Sequence, residues 1–127
     1  MGAVALDANV VIGLIDPHDA HHREAVAELK AIIARGDALE MSSSAYAEVM
    51  VEPLRAGRPE LVDGFVDASR ITIVAIDRGI SRAAAALNAR HRSLRLGDAL
   101  VLAVARERGA ELLTFDARLR RISQESP

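Results

Sequence analysis

The sequence contains no cysteine and no tryptophan, and its phenyl rings are limited to Tyr46, Phe65 and Phe115. Without cysteine, the chain has no disulfide, no thiolate metal site and no thiol nucleophile. So few rings also argue against a surface that binds single-stranded nucleic acid by base stacking. Since 50% of the residues are hydrophobic all the same, the core must be built from aliphatic side chains.

Lysine is also scarce: Lys30 is the only one, and the other basic residues among the 16 are arginines. The formal net charge of −2 counts against binding of nucleic acid through bulk positive charge. Arginine binds phosphate in a bidentate manner, so local clusters can still contact a phosphate backbone. The clusters are Arg90, Arg92 and Arg95, and Arg118, Arg120 and Arg121. Arginines at solvated helix ends would give the same clusters without any role in binding.

Long hydrophobic runs are missing as well. No run of about 18 apolar residues is present, so no membrane-spanning helix is expected. The first apolar stretch has no basic residues before it and is interrupted by Asp7, which is unlike a signal peptide. We therefore expect a cytoplasmic protein without a membrane partner.

Short apolar runs that indicate strands alternate with stretches of helical periodicity along the chain. The predicted strands are residues 3–6, 38–42, 71–76 and 111–115. We expect Pro53 to end or kink the helix that follows the second strand, because proline removes a backbone donor. We expect Asp98 to open the helix of the segment DALVLAVARERG. This alternation implies a mostly parallel sheet covered on both faces, in a single domain spanning residues 1–127.

Four carboxylates lie in apolar surroundings at positions that a parallel sheet can bring together. Strands of such a sheet deliver their carboxyl ends to one edge, where sites form. Two of the acids directly follow a predicted strand, one opens a buried helix, and one has a side chain long enough to reach inward from a helix. The residues are Asp7, Asp116, Asp98 and Glu48, in that order.

Crowded carboxylates repel each other and raise each other's pKa values, so a cation is needed to make such a pocket tolerable. Oxygen-only ligands at a mouth open to water suit Mg²⁺ or Mn²⁺. Such an ion polarises a phosphoryl oxygen and lowers the pKa of a bound water. We therefore predict a metal-dependent nuclease, with Asn9 and Thr114 as contacts that support the acids.

Each acid also has a simpler explanation. Asp7, Asp98 and Asp116 are suited to capping helices, and Glu48 to the solvent-facing side of one. Histidines gathered near one turn resemble a metal cluster, but their polar surroundings favour surface positions. These histidines are His18, His21 and His22.

At these residues the chain resembles PIN-domain ribonucleases, in particular the VapC-type toxins of VapBC toxin–antitoxin pairs. Four short motifs occur in the order that the family shows, over nearly the whole chain. They are LDANVVIGLID with Asp7, SSAYAEVMVEPLRAG with Glu48, LGDALVLAVA with Asp98, and LLTFDARL with Thr114 and Asp116.

The resemblance implies a three-layer α/β/α sandwich with a sheet of four or five strands. It also implies a Mg²⁺- or Mn²⁺-dependent endoribonuclease in which the four acids bind the metal and act in catalysis. The products would carry a 5′-phosphate and a 3′-hydroxyl. A homodimer and a cognate antitoxin are the implied protein partners, and RNA is the substrate. Arginines near the mouth would contact RNA, namely Arg118, Arg120 and Arg121.

Two positions depart from the family pattern. Ala8 stands where many relatives have a serine or threonine, and Arg118 stands where some have a further acid. A second metal ion is therefore in doubt. Two rival functions stay open: a phosphatase with a nucleophilic Asp7, and a non-catalytic module that binds protein or RNA. The phosphatase usually needs a D-x-D motif and a catalytic lysine, whereas Asp7 is followed by Ala8 and Asn9, and Lys30 lies in a predicted helix.

Overall fold

The computed structural model of the chain describes residues 2–126, so Met1 and Pro127 of the predicted domain lie outside it. Its four strands pair in the order β3-β2-β1-β4, and every pair is parallel. This confirms the predicted parallel α/β sheet, with four strands in the described part of the chain. The strands are β1 (Ala3–Leu6), β2 (Ala38–Ser42), β3 (Thr72–Val74) and β4 (Glu111–Leu113).

Helices cover both faces of the sheet, because two separate apolar clusters pack against it. One cluster draws on the first four helices and on Val101 of the sixth, and the other draws on the last three. The result is the expected three-layer sandwich. The helices are α1 (Ala8–Ile15), α2 (His22–Arg35), α3 (Ser43–Arg55), α4 (Glu60–Ala68), α5 (Arg78–Arg90), α6 (Leu96–Glu107) and α7 (Ala117–Ser123). Of the helices in residues 2–126, none is long and apolar enough to cross a membrane.

Pro53 lies inside α3, which continues to Arg55. Of the two expected effects of Pro53, an end and a kink, the end is wrong, since the helix ends two residues later; the kink stays a prediction. A proline mainly harms the turn before it, where its missing N–H and its ring disturb the bond to the preceding turn. Little helix is left after Pro53. The carbonyl of Pro53 accepts a hydrogen bond from the backbone N–H of Arg58 at 2.7 Å.

The helix α6 begins earlier than predicted, and the strand β4 ends earlier than predicted. The helix α6 starts at Leu96, so Asp98 lies in its first turn and does not open it. The strand β4 stops at Leu113, short of the predicted residue 115, because the N–H of Phe115 donates to the side chain of Asn9 at 3.2 Å. A backbone donor used by a side chain cannot extend the ladder. The third strand is also shorter than predicted, since it covers Thr72–Val74 and not residues 71–76.

An ion pair joins α6 to the centre of the sheet. Glu40 of β2 is only 6% exposed, and the guanidinium of Arg108 donates to both of its carboxylate oxygens, at 2.6 Å and 3.2 Å. Arg108 is the residue that caps the C-terminal end of α6. The pair therefore fixes the end of α6 opposite to the end that carries Asp98.

We predict that Arg108→Ala lowers the melting temperature by several degrees, because it leaves the buried Glu40 carboxylate without its partner. The matched control is Arg55→Ala, which removes an ion pair with Glu52 whose two side chains are 72% and 77% exposed. Exposed pairs contribute little, so that variant should unfold like the parent protein. Thermal unfolding followed by circular dichroism measures both. Equal melting temperatures for the two variants would contradict a stabilising role for the Arg108–Glu40 pair.

Candidate functional site

Asp7 follows β1 and caps α1 from a position where it is only 7% exposed. One of its carboxylate oxygens accepts the N–H of Ala8 at 2.8 Å, and the other accepts the hydroxyl of Thr114 at 2.7 Å. Thr114 reaches Asp7 because it follows β4, the parallel neighbour of β1. Bonds to both oxygens hold the carboxylate in one orientation.

Asn9 and Thr114 link Asp7 to the start of α7. The hydroxyl of Thr114 accepts the side-chain amide of Asn9 at 3.3 Å and the backbone N–H of Asp116 at 3.1 Å. The amide oxygen of Asn9 accepts the N–H of Phe115 at 3.2 Å. Thr114 is 1% exposed, so this network lies behind the acids and away from solvent. Both residues predicted to support the acids thus contact Asp7 or its immediate partner.

Asp116 is exposed and caps α7. A single oxygen, Oδ1, accepts the N–H groups of Arg118 and Leu119 at 2.9 Å and 3.0 Å. Within residues 2–126, Oδ2 has no hydrogen bond. The cap and a ligand role are therefore compatible, since they use different oxygens of one carboxylate.

Asp98 is half-buried in the first turn of α6, close to the backbone N–H of Arg95, the residue that precedes the helix. An acid in the first turn lies at the positive end of the helix dipole. Asp98 therefore stands at that end of α6, next to the C-terminal edge of the sheet.

Glu48 approaches the same turn from α3, where its side chain is exposed. Its Oε1 atom lies so close to Gly97 that a Cβ added there would come within 3.2 Å of it. Glycine therefore leaves the space that the Glu48 carboxylate occupies beside Asp98. A glycine directly before an acid in the first turn of a helix is the sequence signal of this close approach.

The carboxylates interact electrostatically across one mouth. Burial, and to a smaller extent the Asp98 and Asp116 charges, raises the pKa of Asp7, although its hydrogen bonds from Thr114 and Ala8 oppose this. Burial and the charges of Asp7 and Asp98 raise the pKa of Glu48.

Burial and the Asp116 charge raise the pKa of Asp98, while the backbone N–H and the charge of Arg95 and the charge of Arg118 oppose this. Three of the four acids thus pay a cost for being ionised, and that cost increases when their neighbours are ionised too.

The four acids fit a hard divalent cation by their chemistry. All donors are carboxylate oxygens, and within residues 2–126 none of the four forms an ion pair with an arginine or lysine. In the conformations seen, no three His, Asp or Glu side chains of that same range are gathered closely enough to ligate one ion. A shared ion therefore requires side-chain rotation, which is open to Glu48 and Asp116 because both are exposed.

The three arginines of α7 have different surroundings. Arg118 lines a cleft of about 430 Å³ together with Asp98 and Asp116. Arg120 donates to the carbonyl of Thr114 at 2.9 Å and lines another cleft, beside β4. Arg121 is exposed, and its side chain makes no hydrogen bond to the described part of the chain. Among the three, only Arg118 lies beside the acids.

The histidines do not join the acids. His18 and His21 are exposed, and the ring of His21 stacks on Phe115 with 4.6 Å between centroids. His22 is half-buried, with Nδ1 at 2.7 Å from the carbonyl of Gly13. The first two positions match the surface placement expected from their polar neighbours.

A family model of the PIN domain matches residues 4–125. The chain belongs to the PIN domain family. None of the curated proteins matches this PIN domain. Solved structures do, and the matches extend over nearly the full length of both chains.

VapC20 of Mycobacterium tuberculosis, described as a sarcin-ricin loop cleaving toxin, has 16% identity and a TM-score of 0.73, covering 94% of this chain and 95% of its own. A toxin–antitoxin complex from Klebsiella pneumoniae has 26% identity and a TM-score of 0.71, with coverages of 91% and 88%. VapBC2 from Rickettsia felis, bound to a DNA fragment from its promoter, has 19% identity and a TM-score of 0.74, with coverages of 94% and 92%. The first and third likenesses show the fold alone.

We predict that Gly97→Ala weakens Mn²⁺ binding by about tenfold, the scale expected when a contact next to a metal ligand is disturbed. The new methyl group would stand 3.2 Å from the Glu48 carboxylate, which must shift by a few tenths of an ångström away from Gly97, while alanine itself favours the helix. Gly64→Ala in α4 is the control, because a Cβ there meets no atom within 4 Å. Isothermal titration calorimetry measures both affinities. Unchanged Mn²⁺ affinity in the Gly97 variant would show that the Glu48 position does not matter for the ion.

The raised pKa of Asp98 predicts a pH-dependent stability change in Asp98→Asn without metal. A raised pKa in the folded state means that folding is favoured below the ordinary pKa of about 4 and is opposed above the folded value. Removing the charge should therefore raise the melting temperature, relative to the parent, at about pH 7 but not at about pH 4. Solvent screening limits the gain to a few degrees.

Asp37→Asn is a control with the opposite sign. Hydrogen bonds from Arg35 and Gly2 lower the pKa of Asp37, so its charge stabilises the folded state at neutral pH. That variant should lose stability at about pH 7, and the loss should shrink only below about pH 4, as the pH approaches the lowered pKa of Asp37. Parallel thermal scans of both variants, from about pH 7 to below pH 4, decide the matter. Loss of stability at neutral pH in Asp98→Asn would mean that the Asp98 charge is not repelled by its neighbours.

Proposed function

We propose that the protein is a Mg²⁺- or Mn²⁺-dependent endoribonuclease and the toxin component of a type II toxin–antitoxin system. The observation that carries this is the group of four interacting carboxylates without cationic partners, at the C-terminal edge of a PIN-domain sheet. Charge of this kind is stable only when protons or a metal ion balance it, and at neutral pH a metal ion is the better match. The similar toxin–antitoxin complex from Klebsiella pneumoniae, at 26% identity, supports the same assignment.

The proposed ligands are Asp7, Glu48, Asp98 and Asp116. When bound, a divalent ion would polarise a phosphoryl oxygen and lower the pKa of the attacking water. The chain's own contribution is to gather the carboxylates at one edge of the sheet and to orient Asp7. Thr114 fixes the Asp7 carboxylate by its 2.7 Å hydrogen bond, and Asn9 fixes Thr114.

RNA contacts are proposed for the arginines of α7. Arg118 lies at the cleft that Asp98 and Asp116 border, which supports a contact near the scissile bond. Contacts from Arg120 and Arg121 stay predictions. Because Arg120 lines another cleft, such contacts would need a longer stretch of RNA that extends beyond the acids.

The proposed protein partner is an antitoxin that covers the site. An apolar groove of about 540 Å³ begins at Glu48 and runs between α1, α3 and α4. Its rim exposes Ile12 and Leu61 at 39% each, with Val51 and Leu54 nearby on α3 at 45% and 60%. A segment seated there would also lie against Glu48, and a similar structure is a toxin–antitoxin complex. A homodimer is proposed on the family resemblance alone.

We predict that Asp98→Asn lowers Mg²⁺-dependent cleavage of single-stranded RNA about 100-fold or more, a loss typical of removing one preorganised charge from an active site. Glu107→Gln is the matched control, since Glu107 is exposed at the opposite end of the same helix. Gel electrophoresis of end-labelled RNA measures the rates, and end analysis should find 5′-phosphates. Circular dichroism shows whether both variants are folded.

Three outcomes would contradict the proposal. Full activity of Asp98→Asn would remove the acid from the reaction, and cleavage in the presence of excess chelator would remove the metal. RNA binding without any cleavage by the parent protein would favour the non-catalytic module. Trapping of a phosphoryl group on Asp7 would favour the phosphatase, although hydrogen bonds already occupy both Asp7 oxygens.

A further inference from the structure

The cleft beside Asp98 and Asp116 has walls from two segments that are distant in sequence. One wall is the turn before α6, which includes Ser93 and Arg95, and the other is the first turn of α7, which includes Arg118. The guanidinium of Arg118 donates from Nη1 to the carbonyl of Ser93 at 3.1 Å, so it joins the two walls. The cleft therefore has a fixed width at the point where an arginine stands on either side.

Arg95 and Arg118 are cations without a carboxylate partner. Both are exposed, and neither forms an ion pair with any acid in residues 2–126. They are nevertheless near enough to the acids to favour ionisation, since both lower the pKa of Asp98 and Arg95 also lowers that of Glu48. The acids are therefore available to bind a cation, and the two arginines beside them are available to bind an anion.

An arginine guanidinium has five N–H donors in a planar fork that matches the oxygens of a phosphate. Arg118 uses one donor group on Ser93, which orients the fork and leaves the other donors for a ligand. The backbone of Arg95 is held at the start of α6, because its carbonyl accepts the N–H of Ala99 at 3.0 Å. The anchored Arg118 guanidinium lowers the entropic cost of holding an anion, and the exposed Arg95 side chain can turn toward the same anion.

We propose that Arg95 and Arg118 form a two-arginine site for a backbone phosphate of RNA, in the cleft that Asp98 and Asp116 border. The inference rests on the proposed function for the identity of its ligand. It adds Arg95, from the other arginine cluster of the sequence, and it separates Arg118 from the remaining arginines of α7. The site holds the strand next to the acids, so the two arginines position the substrate and do not take part in bond cleavage.

The test is RNA binding without turnover. Fluorescence anisotropy with a labelled single-stranded oligonucleotide is measured in excess chelator over a range of NaCl concentrations. Each lost phosphate contact reduces the slope of log affinity against log salt concentration by about 0.7 for a single strand. Arg95→Ala and Arg118→Ala should each show that reduction, with affinity about threefold to tenfold weaker at low salt.

Two further variants sharpen the result. Arg90→Ala makes the same change in charge but lies in the cleft that α5 forms with the far end of α6, beside Glu107, so its slope should equal that of the parent. Arg118→Lys should keep the slope, because the charge stays, but lose affinity, because lysine lacks the fork. It also serves if Arg118→Ala does not fold.

Parent-like salt slopes for Arg95→Ala and Arg118→Ala, or slopes no different from that of Arg90→Ala, would overturn the inference. Failure of the parent protein to bind RNA at low salt would overturn it as well. The proposed nuclease function fails by other readouts, namely absent cleavage or insensitivity to chelator. Reduced slopes in a protein that does not cleave would therefore leave the phosphate site standing while the nuclease falls.

Discussion

The hydrogen bond from Thr114 to Asp7 connects the two ends of the sequence, and the candidate site is arranged around it. The bond spans 107 positions of chain but only 2.7 Å, because β1 and β4 are adjacent parallel strands that end at the same edge of the sheet. One hydroxyl donates to Asp7 and accepts from Asn9 and from the backbone of Asp116. Its three partners leave no spare hydrogen-bonding capacity, so the sheet sets the distance between the Asp7 carboxylate and the backbone of Asp116.

The capping and site interpretations of the acids turn out to be complementary. Asp7 and Asp116 cap α1 and α7, and Asp98 lies in the first turn of α6. A capping carboxylate needs one oxygen for backbone donors, which leaves lone pairs for a cation. The N-terminal ends of these helices favour negative charge, so the same geometry that stabilises each helix also helps to keep a group of repelling carboxylates ionised. Only Glu48 lies outside this arrangement, with its carboxylate in the space beside Gly97.

Much of this organisation was predictable from the sequence, and the misses have physical causes. Alternating apolar runs predict the parallel sandwich because strand and helix periods differ, and the acids at the ends of those runs predict a common edge. The end of β4 was missed because its ladder yields to the Asn9 side chain, a contact between residues 106 positions apart. The start of α6 was missed because Arg95, a residue with no side-chain cap, stands where an acid or serine is expected. Local propensity carries no information about the tertiary contact between Asn9 and Phe115.

Arg95 and Arg118 show how arginines can stand beside acids without forming ion pairs with them. If Arg95 or Arg118 formed ion pairs with the acids, the cleft would be closed to both a cation and an anion, and the pKa of Asp98 would fall. Arg118 instead donates to the carbonyl of Ser93, and Arg95 forms no ion pair with an acid of residues 2–126. A main-chain group thus takes the interaction that the Arg118 guanidinium would otherwise make with an acid. A protein with a net charge of only −2 can in this way present adjacent surfaces of opposite sign, which is what a phosphodiester beside a divalent ion requires.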